Sequence, residues 1–481
     1  MLNRRRMLHL LGGAVAAAGQ QSCDRPREED SAPNIVFILA DDLGWHQLGC
    51  YGNSFYETPN IDRLAREGIR FTQAYAAAPV CSPTRASVMT GKYPARLHLT
   101  DFIPGNPYPF AKLRTPDWTK ALPLDEVTIA EWLRGRGYAT GHFGKWHLNK
   151  DKEYRPGRPG DPGSQGFDTV LTTRKPSPDD DPCADAHHVE LITRHALEFI
   201  RWNRNKPFFC YVTHNAIHRP QLECPDLVAK YERKPGADPL RGNNPTAGAM
   251  VETLDKSVGR ILDQLDELGL TNNTLVVFFS DNGPLYGFDA RKPLYGGKGD
   301  LYEGGIRVPL LMRWPDGVSG GAVCHTPVIS NDFLPTFADI LGALAAAPAM
   351  DGESMLPLLR GGDGLDREAL YWHYPHYHRL TSDDGVVDHP VKPHGAVRAG
   401  RYKLIEWFEQ SIEGPDTPGA LSLYDLDEDP GESKNLVSAM ADKARELYRM
   451  LREWRKSVGA QEMTRNPDYD PAKAHIKKLE T

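Results

Sequence analysis

The sequence predicts an α/β fold in which helices flank a central, mostly parallel sheet. Two apolar runs, Asn34–Ala40 and Thr274–Ser280, are rich in β-branched and aromatic residues and are typical of strands buried on both faces. Segments with helical spacing lie between these runs, for example residues 60–68 and 128–135. Strands that alternate with helices favour a layered α/β domain, since the crossover helices cover the faces of the sheet.

Length, composition and charge narrow the class of protein. The chain has 481 residues, enough for a large core and more than one domain. Hydrophobic residues make up 40% and charged residues 25%, which is typical of a folded globular protein. The net charge of −7 argues against nucleic acid as a partner, because phosphate backbones are bound by clustered lysines and arginines. A local basic pocket can still attract an anionic substrate.

Residues 1–30 are predicted to be an export signal and linker outside the fold. Three arginines at positions 4–6 precede an apolar run over residues 7–18, which is too short to span a bilayer. Adjacent arginines before such a run resemble a twin-arginine leader, which implies a periplasmic or secreted protein. Cys23 leaves a lipid anchor as an alternative, although the two glutamines before Ser22 are not typical of lipoprotein sites.

Acidic and amide side chains follow both predicted strands directly. Asp41 and Asp42 come after the first strand, and Asp281 and Asn282 come after the second. If the two strands are neighbours, these residues meet at the edge where open α/β sheets bind ligands. Their oxygen atoms suit a hard cation such as Ca²⁺ or Mg²⁺. The alternative is a pair of solvated turns.

A short helix is predicted over residues 81–91, with Cys81 at its start. Pro83 suits the first helical position, and Gly91 suits the left-handed residue that ends a helix. The helix start offers unpaired backbone donors, and Arg85 adds a positive charge on the same face as Cys81. The pattern predicts a site for an anion. The alternatives are a buried cysteine that caps a core helix and a reactive thiolate.

Basic residues follow further predicted strands. Lys145 and His147 are two positions apart, so an extended backbone would direct both side chains to one face. His214 and His218 follow another apolar run. Lys298 lies in a glycine-rich segment, where the backbone can approach a ligand closely. Taken alone, a Lys-x-His pair or a loop lysine is usually an ordinary surface feature.

The last part of the chain is predicted to form a smaller subdomain. Long apolar runs give way to short strands and an amphipathic helix over residues 436–458. We therefore divide the mature chain into a main α/β domain, residues 31–360, and an antiparallel sheet with one helix, residues 361–481. The aromatic residues and histidines at 371–378 would line a pocket mouth and contact a sugar ring, bind a metal, or form a solvent loop.

The seven cysteines give no sign of a zinc site or a disulfide framework. Their spacing contains none of the short Cys pairs that mark structural zinc sites. An exported protein can form disulfides, but the sequence does not indicate which cysteines would pair. We therefore predict no disulfide framework.

Three motifs carry a family resemblance. Cys-x-Pro-x-Arg at 81–85, Gly-Lys-Trp-His at 144–147 and Asp-Asn-Gly at 281–283 resemble the signature of type I sulfatases, the formylglycine-dependent branch of the alkaline phosphatase superfamily. The resemblance extends over residues 34–436, with the motifs in family order. It implies an alkaline-phosphatase-like fold and a cysteine at position 81 that a formylglycine-generating enzyme oxidises to formylglycine (3-oxoalanine).

The resemblance also implies a role for each matched residue. The calcium ligands of the family correspond to Asp41, Asp42, the modified Cys81, Asp281 and Asn282. Lys145 and Lys298 match the two cations that bind sulfate. His147 matches the histidine at the formylglycine, and His218 matches the histidine that protonates the leaving group. Arg85 matches the arginine that holds the diol. The family usually has proline directly before the leaving-group histidine. This chain has Ile217, so His214 remains a rival for that role.

The implied activity is hydrolysis of a sulfate ester with S–O cleavage, in which one hydroxyl of the hydrated formylglycine attacks sulfur. An exported protein with an aromatic and histidine-rich C-terminal part favours a sulfated saccharide as substrate. Two alternatives remain: a phosphonate or phosphate ester hydrolase of the same superfamily, and a non-catalytic protein that binds sulfated glycans.

Overall fold

One large sheet organises the fold in the computed structural model, which describes residues 32–151, 153–238, 243–285, 293–381 and 388–477. The predictions about the export signal and Cys23 lie outside these residues. From Ala32 onward the described chain forms one compact unit. Within the described ranges no helix combines the length and the apolar character needed to cross a membrane.

The strands and helices alternate along most of the chain. The strands are β1 (Asn34–Ala40), β2 (Ile69–Tyr75), β3 (Leu113–Arg114), β4 (Ala139–Gly144), β5 (Thr169–Thr172), β6 (Phe208–Thr213), β7 (Thr274–Ser280), β8 (Arg307–Arg313), β9 (Ala322–Cys324), β10 (Val328–Ile329), β11 (Leu370–Tyr374), β12 (His378–Thr381), β13 (Asp388–Val391), β14 (His394–Ala399), β15 (Tyr402–Trp407), β16 (Leu421–Asp425) and β17 (Thr464–Arg465). The helices are α1 (Pro59–Glu67), α2 (Cys81–Thr90), α3 (Pro94–Leu97), α4 (Ile129–Arg134), α5 (Val189–Asn203), α6 (Pro225–Glu232), α7 (Pro245–Glu267), α8 (Glu303–Ile306), α9 (Phe333–Ile340), α10 (Leu356–Leu359), α11 (Phe408–Ser411) and α12 (Ala441–Ser457).

The main sheet has the strand order β10-β2-β8-β7-β1-β6-β4-β5, and β9 pairs with β2. β1 lies in the middle of the sheet and runs parallel to both neighbours, β6 and β7. β8 is antiparallel to both β2 and β7. The predicted fold class, a mostly parallel sheet flanked by helices, is therefore confirmed.

Alternate residues of β1 face two separate hydrophobic layers, as the period of two in a strand requires. Ile35, Phe37 and Leu39 pack in a layer with α2, α4 and α9. Val36 and Ile38 pack on the other face with α1, α5 and α7. Because hydrophobic side chains cover both faces of β1, a ligand can approach this strand at its ends.

Most predicted elements form, with shifts at their ends. α4 forms within the predicted segment 128–135, and Thr128 and Glu131 make a capping box at its start. α2 begins at Cys81 itself, so Pro83 is the third helical residue and not the first. A proline is tolerated there because the N–H groups of the first turn have no partner within the helix. The predicted helix over residues 436–458 is shorter, since α12 begins at Ala441.

A second sheet and a helix occupy the C-terminal part of the chain. β11, β14, β15 and β16 form an antiparallel sheet, and its core includes residues of α12. The side chain of Lys403 is fully buried and lies 3.0 Å from Glu303 and 2.9 Å from Glu432. His394 Nε2 accepts the N–H of Leu301 at 2.8 Å. The second sheet therefore holds the segment that follows Lys298.

One disulfide joins Cys183 to Cys224, which lies directly before α6. The prediction of no disulfide framework is therefore wrong for this pair. The two cysteines are 41 residues apart and belong to no recognisable spacing pattern. Their proximity follows from the course of the two loops, which the sequence does not reveal.

Candidate active site

The polar residues after β1 and β7 meet at one edge of the main sheet, as predicted. β1 and β7 pair along their full length, with Ala40 opposite Ser280. The N–H of Asp42 donates to Asp281 Oδ1 at 3.2 Å, and Asn282 Nδ2 donates to Asp42 Oδ1 at 2.7 Å. Residues about 240 positions apart thus form one buried cluster.

Cys81 lies at the start of α2 against this cluster. Its side chain is 1% exposed, and its Sγ is 3.5 Å from Asp41 Oδ1 and 3.3 Å from Lys298 Nζ. Burial, together with the negative charge of Asp281, raises the pKa of the Cys81 thiol to about 12. An unmodified Cys81 is therefore a neutral thiol at physiological pH, which disfavours the reactive-thiolate alternative.

Two lysines neutralise the aspartates that follow β1. Lys145 Nζ is 2.6 Å from Asp41 Oδ2, and Lys298 Nζ is 2.6 Å from Asp42 Oδ1. Burial alone would raise the pKa of Asp41, but the charges of Lys145, Arg85 and Lys298 outweigh it and hold that pKa well below its usual value. Both aspartates are thus ionised within hydrogen-bonding distance of a cation.

Arg85 connects α2 to two other elements of the site. Its Nε donates to Asp281 Oδ2 at 2.9 Å, and its Nη1 donates to the carbonyl of Lys145 at 2.8 Å. The guanidinium is 1% exposed. Burial and repulsion from Asp41 together outweigh the opposing charge of Arg85 and raise the pKa of Asp281 to about 6.

His147 reaches the site by a different geometry from the one predicted. Its backbone has φ of 56°, in the left-handed region, so Lys145 and His147 are not directed by an extended strand. His147 Nε2 lies 2.7 Å from the carbonyl of Ile103. Because a carbonyl can only accept, Nε2 carries the hydrogen and Nδ1 has the free lone pair. Nδ1 is buried and has no hydrogen-bond partner within the described ranges.

The two histidines that follow β6, His214 and His218, lie in different surroundings. His218 Nε2 faces Asp42 Oδ2 at 3.8 Å, and its Nδ1 lies 2.7 Å from the carbonyl of Arg219. His214 is fully buried and pairs with Ser257 Oγ at 3.1 Å in the packing against α7. His218 therefore belongs to the site, and His214 does not.

The donor set fits a hard divalent cation. The ligand atoms of Asp41, Asp42, Cys81 and His218 all lie within 4.8 Å of one another. Asp42 Oδ2 and Asn282 Oδ1 are buried and have no hydrogen-bond partner in the part of the chain that the structure describes. Buried oxygen atoms without a donor are costly unless a cation or water satisfies them. The cluster of possible metal ligands thus includes His218, whereas the sequence predicted only oxygen ligands and Cys81.

A cavity of about 550 Å³ opens above the cluster. Cys81, Lys145, His147, His218 and Lys298 all line it. The predicted site residues are thus brought together, with Asp41, Asp42, Arg85, Asp281 and Asn282 buried directly behind them. A cavity of this size accommodates a ligand much larger than a sulfate group.

The aromatic and histidine segment at 371–378 contributes less to this cavity than predicted. Within that segment only His378 is part of the lining. His373 pairs with the carbonyl of Gln461 at 2.8 Å, and His376 pairs with Thr100 Oγ1 at 2.8 Å. Both histidines are buried by packing, so of the three alternatives for this segment the pocket-mouth interpretation applies to His378 alone.

Sequence reasoning missed several basic residues of the lining. Arg174 and Lys175 follow β5, Arg219 follows His218, and Arg379 lies in β12. None belongs to a motif, and they come from three separate stretches of the chain. The one local signal was the position of three of them just beyond the carboxyl end of a parallel strand.

A parallel sheet that carries a buried cysteine, acidic groups and two lysines at its carboxyl edge defines a class: the sulfuric ester hydrolases of the alkaline-phosphatase-like superfamily. Residues 33–343 match the sulfatase family, and residues 295–457 match the family described as N-sulphoglucosamine sulphohydrolase, C-terminal. The chain belongs to the sulfatase family and is a sulfuric ester hydrolase.

Individual relatives agree with this assignment. Human arylsulfatase A is 32% identical over 476 residues, which cover 88% of this chain and 86% of that protein. Human N-acetylgalactosamine-6-sulfatase is 31% identical, with 87% and 84% covered. The crystal structure of Ps i-CgsB in complex with k-i-k-neocarrahexaose is similar with a TM-score of 0.70 and 26% identity, covering 91% of this chain and 95% of that one.

Proposed function

We propose that this sulfatase hydrolyses a sulfated saccharide, with Cys81 converted to formylglycine and a divalent cation, Ca²⁺ or Mg²⁺, beside it. The observation that carries the proposal is the position of Cys81 Sγ at the floor of the cavity, 3.3 Å from Lys298 Nζ and 3.5 Å from Asp41 Oδ1. A nucleophile at that position would face bound sulfate with the ammonium group of Lys298 beside it.

The modified residue and the cation would supply two distinct contributions. The hydrated aldehyde supplies the hydroxyl that attacks sulfur, and the cation offsets the charge of the sulfate oxygens. The residues that would hold the cation are Asp41, Asp42, Asp281, Asn282 and the side chain at position 81. The unpartnered Asp42 Oδ2 and Asn282 Oδ1 support this assignment.

Lys145 and Lys298 would bind the sulfate oxygens. Each ammonium group is fixed by one aspartate at 2.6 Å, which leaves its remaining N–H groups available to the cavity that it lines. Burial disfavours the charge of Lys298, but Asp42 outweighs this effect and raises its pKa, so it stays protonated in the site. Two fixed positive charges can stabilise the transition state without rearranging.

His147 and His218 would act as general base and general acid. The free lone pair of His147 is on Nδ1, so this atom is the candidate base for the second hydroxyl of the modified residue. Burial, assisted by repulsion from Lys298, lowers the pKa of His218 to about 3. His218 is therefore neutral in the free protein. As a general acid it would need the negative charge of bound sulfate to raise that pKa.

A saccharide substrate is supported by the relatives and by the size of the cavity. One relative is named for N-acetylgalactosamine 6-sulfate chemistry, and one similar structure contains a neocarrahexaose. The cavity volume of about 550 Å³ is in the range of sites that take a ligand of several rings. We also propose residues 31–360 as the catalytic domain and residues 361–481 as the C-terminal subdomain.

Export is supported by the disulfide. A Cys183–Cys224 bridge is typical of a protein that matures in an oxidising compartment. Together with the predicted leader over residues 1–30, this favours a periplasmic or secreted enzyme. N-terminal sequencing of the mature protein would test both twin-arginine export and a lipid anchor at Cys23.

The proposal is tested by producing the protein with and without a formylglycine-generating enzyme in the host. Peptide mass spectrometry should find formylglycine at position 81 only in the first case, and only that protein should hydrolyse 4-nitrophenyl sulfate. Cys81→Ala should fold and be inactive from both hosts. Full activity with an unmodified Cys81 would overturn the proposal, and faster turnover of a matched aryl phosphonate would favour the phosphonate hydrolase instead.

A further inference from the structure

The cavity contains more positive charge than one sulfate group requires. Lys145 and Lys298 lie beside Cys81, and each is already paired with an aspartate. Farther along the same lining lie additional cations: Lys150, Arg174, Lys175, Arg219 and Arg379. Of these five, Arg174 and Lys175 form a group that could bind a second anion of the ligand.

The lining contains fewer acidic residues than lysines and arginines. Asp151 pairs with Arg158 at 3.0 Å, and Asp161 pairs with the same guanidinium at 2.9 Å. Of the lining carboxylates this leaves Glu153, which is exposed. The wall beyond the sulfate position is therefore electropositive in its described part.

Arg174 and Lys175 are the strongest candidates within this group. Both follow β5 directly, both are exposed side chains, and neither makes an ion pair with a residue in the described ranges. Although the side chain of Lys175 is exposed by surface area, the surrounding walls of the cavity partly desolvate its ammonium group, and this lowers its pKa. Repulsion from Lys145 and Lys298 acts in the same direction. Lys175 is thus close enough to the reaction centre to sense its charges, and an anion beside it would relieve the repulsion.

We propose that Arg174 and Lys175 form a second anion subsite and that the preferred saccharide carries a further acidic group, a sulfate or a carboxylate, besides the sulfate that is removed. This inference rests on the proposed function and specifies its substrate class. A guanidinium binds the planar edge of a carboxylate or two sulfate oxygens with two parallel hydrogen bonds, and an adjacent ammonium adds a point charge.

The test compares the double variant Arg174→Gln/Lys175→Gln with the parent enzyme, both carrying formylglycine. The substrates are a monosulfated saccharide, the same saccharide with a second sulfate, and the monosulfated saccharide linked to a uronic acid. The parent should have a higher kcat/KM on at least one of the two dianionic substrates than on the monosulfated one. In the double variant this ratio should fall by about tenfold or more, since hydrogen bonds between charged groups are stronger than those between neutral groups.

A matched control removes the same charges elsewhere. Arg204 and Lys206 are exposed residues after α5 and lie outside the cavity lining, so Arg204→Gln/Lys206→Gln should keep the parental ratio. The preference of the parent should also weaken as salt is added, because screening acts on the exposed subsite. The preferred dianionic substrate identifies the second group as sulfate or carboxylate.

A readout independent of turnover uses Cys81→Ala. Calorimetry should find tighter binding of the preferred dianionic saccharide than of the monosulfated one, and adding Arg174→Gln/Lys175→Gln should remove the difference. Equal affinities, or an unchanged kcat/KM ratio in the double variant, would overturn the subsite while sulfate hydrolysis remains. A formylglycine-carrying parent that hydrolyses no sulfate ester, 4-nitrophenyl sulfate included, would overturn the proposed function and the subsite together.

Discussion

Charge pairing at single residues explains how this site is stable while buried. Isolated buried carboxylates are strongly disfavoured, but Asp41, Asp42 and Asp281 each have a cationic partner in Lys145, Lys298 or Arg85. The sequence could predict the identities of these residues because each belongs to a motif. It could not predict the pairing, which depends on distances between strand ends.

His218 and His214 show where sequence reasoning stops at the residue scale. They lie four positions apart in one loop and are chemically identical, so only the path of the backbone decides which one enters the cavity. The same is true of His147, whose left-handed backbone has no signal in the surrounding residue types. From the sequence, His214 and His218 are both candidates for the histidine near the leaving group. In the structure, His218 lines the cavity and His214 does not.

Removing His218 should affect esters according to their leaving group. Since a saccharide alkoxide needs a proton and 4-nitrophenolate does not, His218→Ala should lower kcat/KM by about 100-fold or more on a saccharide sulfate and far less on 4-nitrophenyl sulfate. Steady-state kinetics on both esters checks this.

The matched control is His214→Ala. Because His214 packs against Ser257 in the core, this variant should lower the melting temperature and keep the ratio between the two esters. Equal losses on both esters in His218→Ala would show that His218 acts as a metal ligand or a positioning group instead of an acid.

At the scale of elements, the strand ends determine the geometry of the site. β4 ends at Gly144, which has φ of 121°, and the N–H of Lys145 donates to the carbonyl of Thr213 in the adjacent β6 at 2.8 Å. The sequence predicted the strand and the motif that follows it. It gave no indication that the glycine allows two strands to come this close.

Gly144→Ala should therefore be severely destabilising. A Cβ at this position would lie 1.8 Å from the carbonyl oxygen of Thr213, so one strand must move and Lys145 with it. We expect a loss of more than about 4 kcal/mol in the free energy of unfolding and loss of activity, measured by urea denaturation and sulfate release.

Gly137→Ala provides the comparison. Gly137 also has a positive φ, 84°, but a Cβ there would meet no atom within 4 Å. This variant should lose only about 1–2 kcal/mol from the left-handed backbone and remain active. Similar losses in the two variants would mean that the contact with Thr213 is not the cause.

At the scale of the whole molecule, the order of the strands brings together residues that are far apart in sequence. Two similar strand ends gave a prediction that depended on β1 and β7 being neighbours, and the sheet satisfies that condition. The basic residues after β5 and β6 and in β12 could not be found in the same way. They have no shared pattern, and only the complete fold places them on one cavity.

Removal of the metal should inactivate the enzyme without unfolding it. Asp41 and Asp42 are each paired with a lysine at 2.6 Å, Lys145 and Lys298, so the charges of these carboxylates do not depend on the cation alone. After chelation, sulfate release should stop, circular dichroism should be unchanged, and the melting temperature should fall by a few degrees because native-state binding no longer contributes.

Adding Ca²⁺ or Mg²⁺ should restore both activity and melting temperature, and the more effective ion identifies the physiological one. Asp281→Ala should bind less metal by elemental analysis and should not be rescued. Full activity in protein that elemental analysis finds free of metal would refute the proposed cation.

All ten residues of α2, from Cys81 to Thr90, are buried in the folded chain. An enzyme that oxidises a cysteine must bind the peptide around it, and the finished protein presents none of that peptide. The proposed conversion of Cys81 to formylglycine therefore has to take place before the sheet closes. Lys298 leaves the ribosome more than 200 residues later, roughly 10–40 s at a synthesis rate of about 5–20 residues per second. Slower folding or a pause in translation would lengthen that interval. Under the proposed conversion, the fraction of active enzyme in a preparation would therefore depend on timing during synthesis and not on the final stability of the protein.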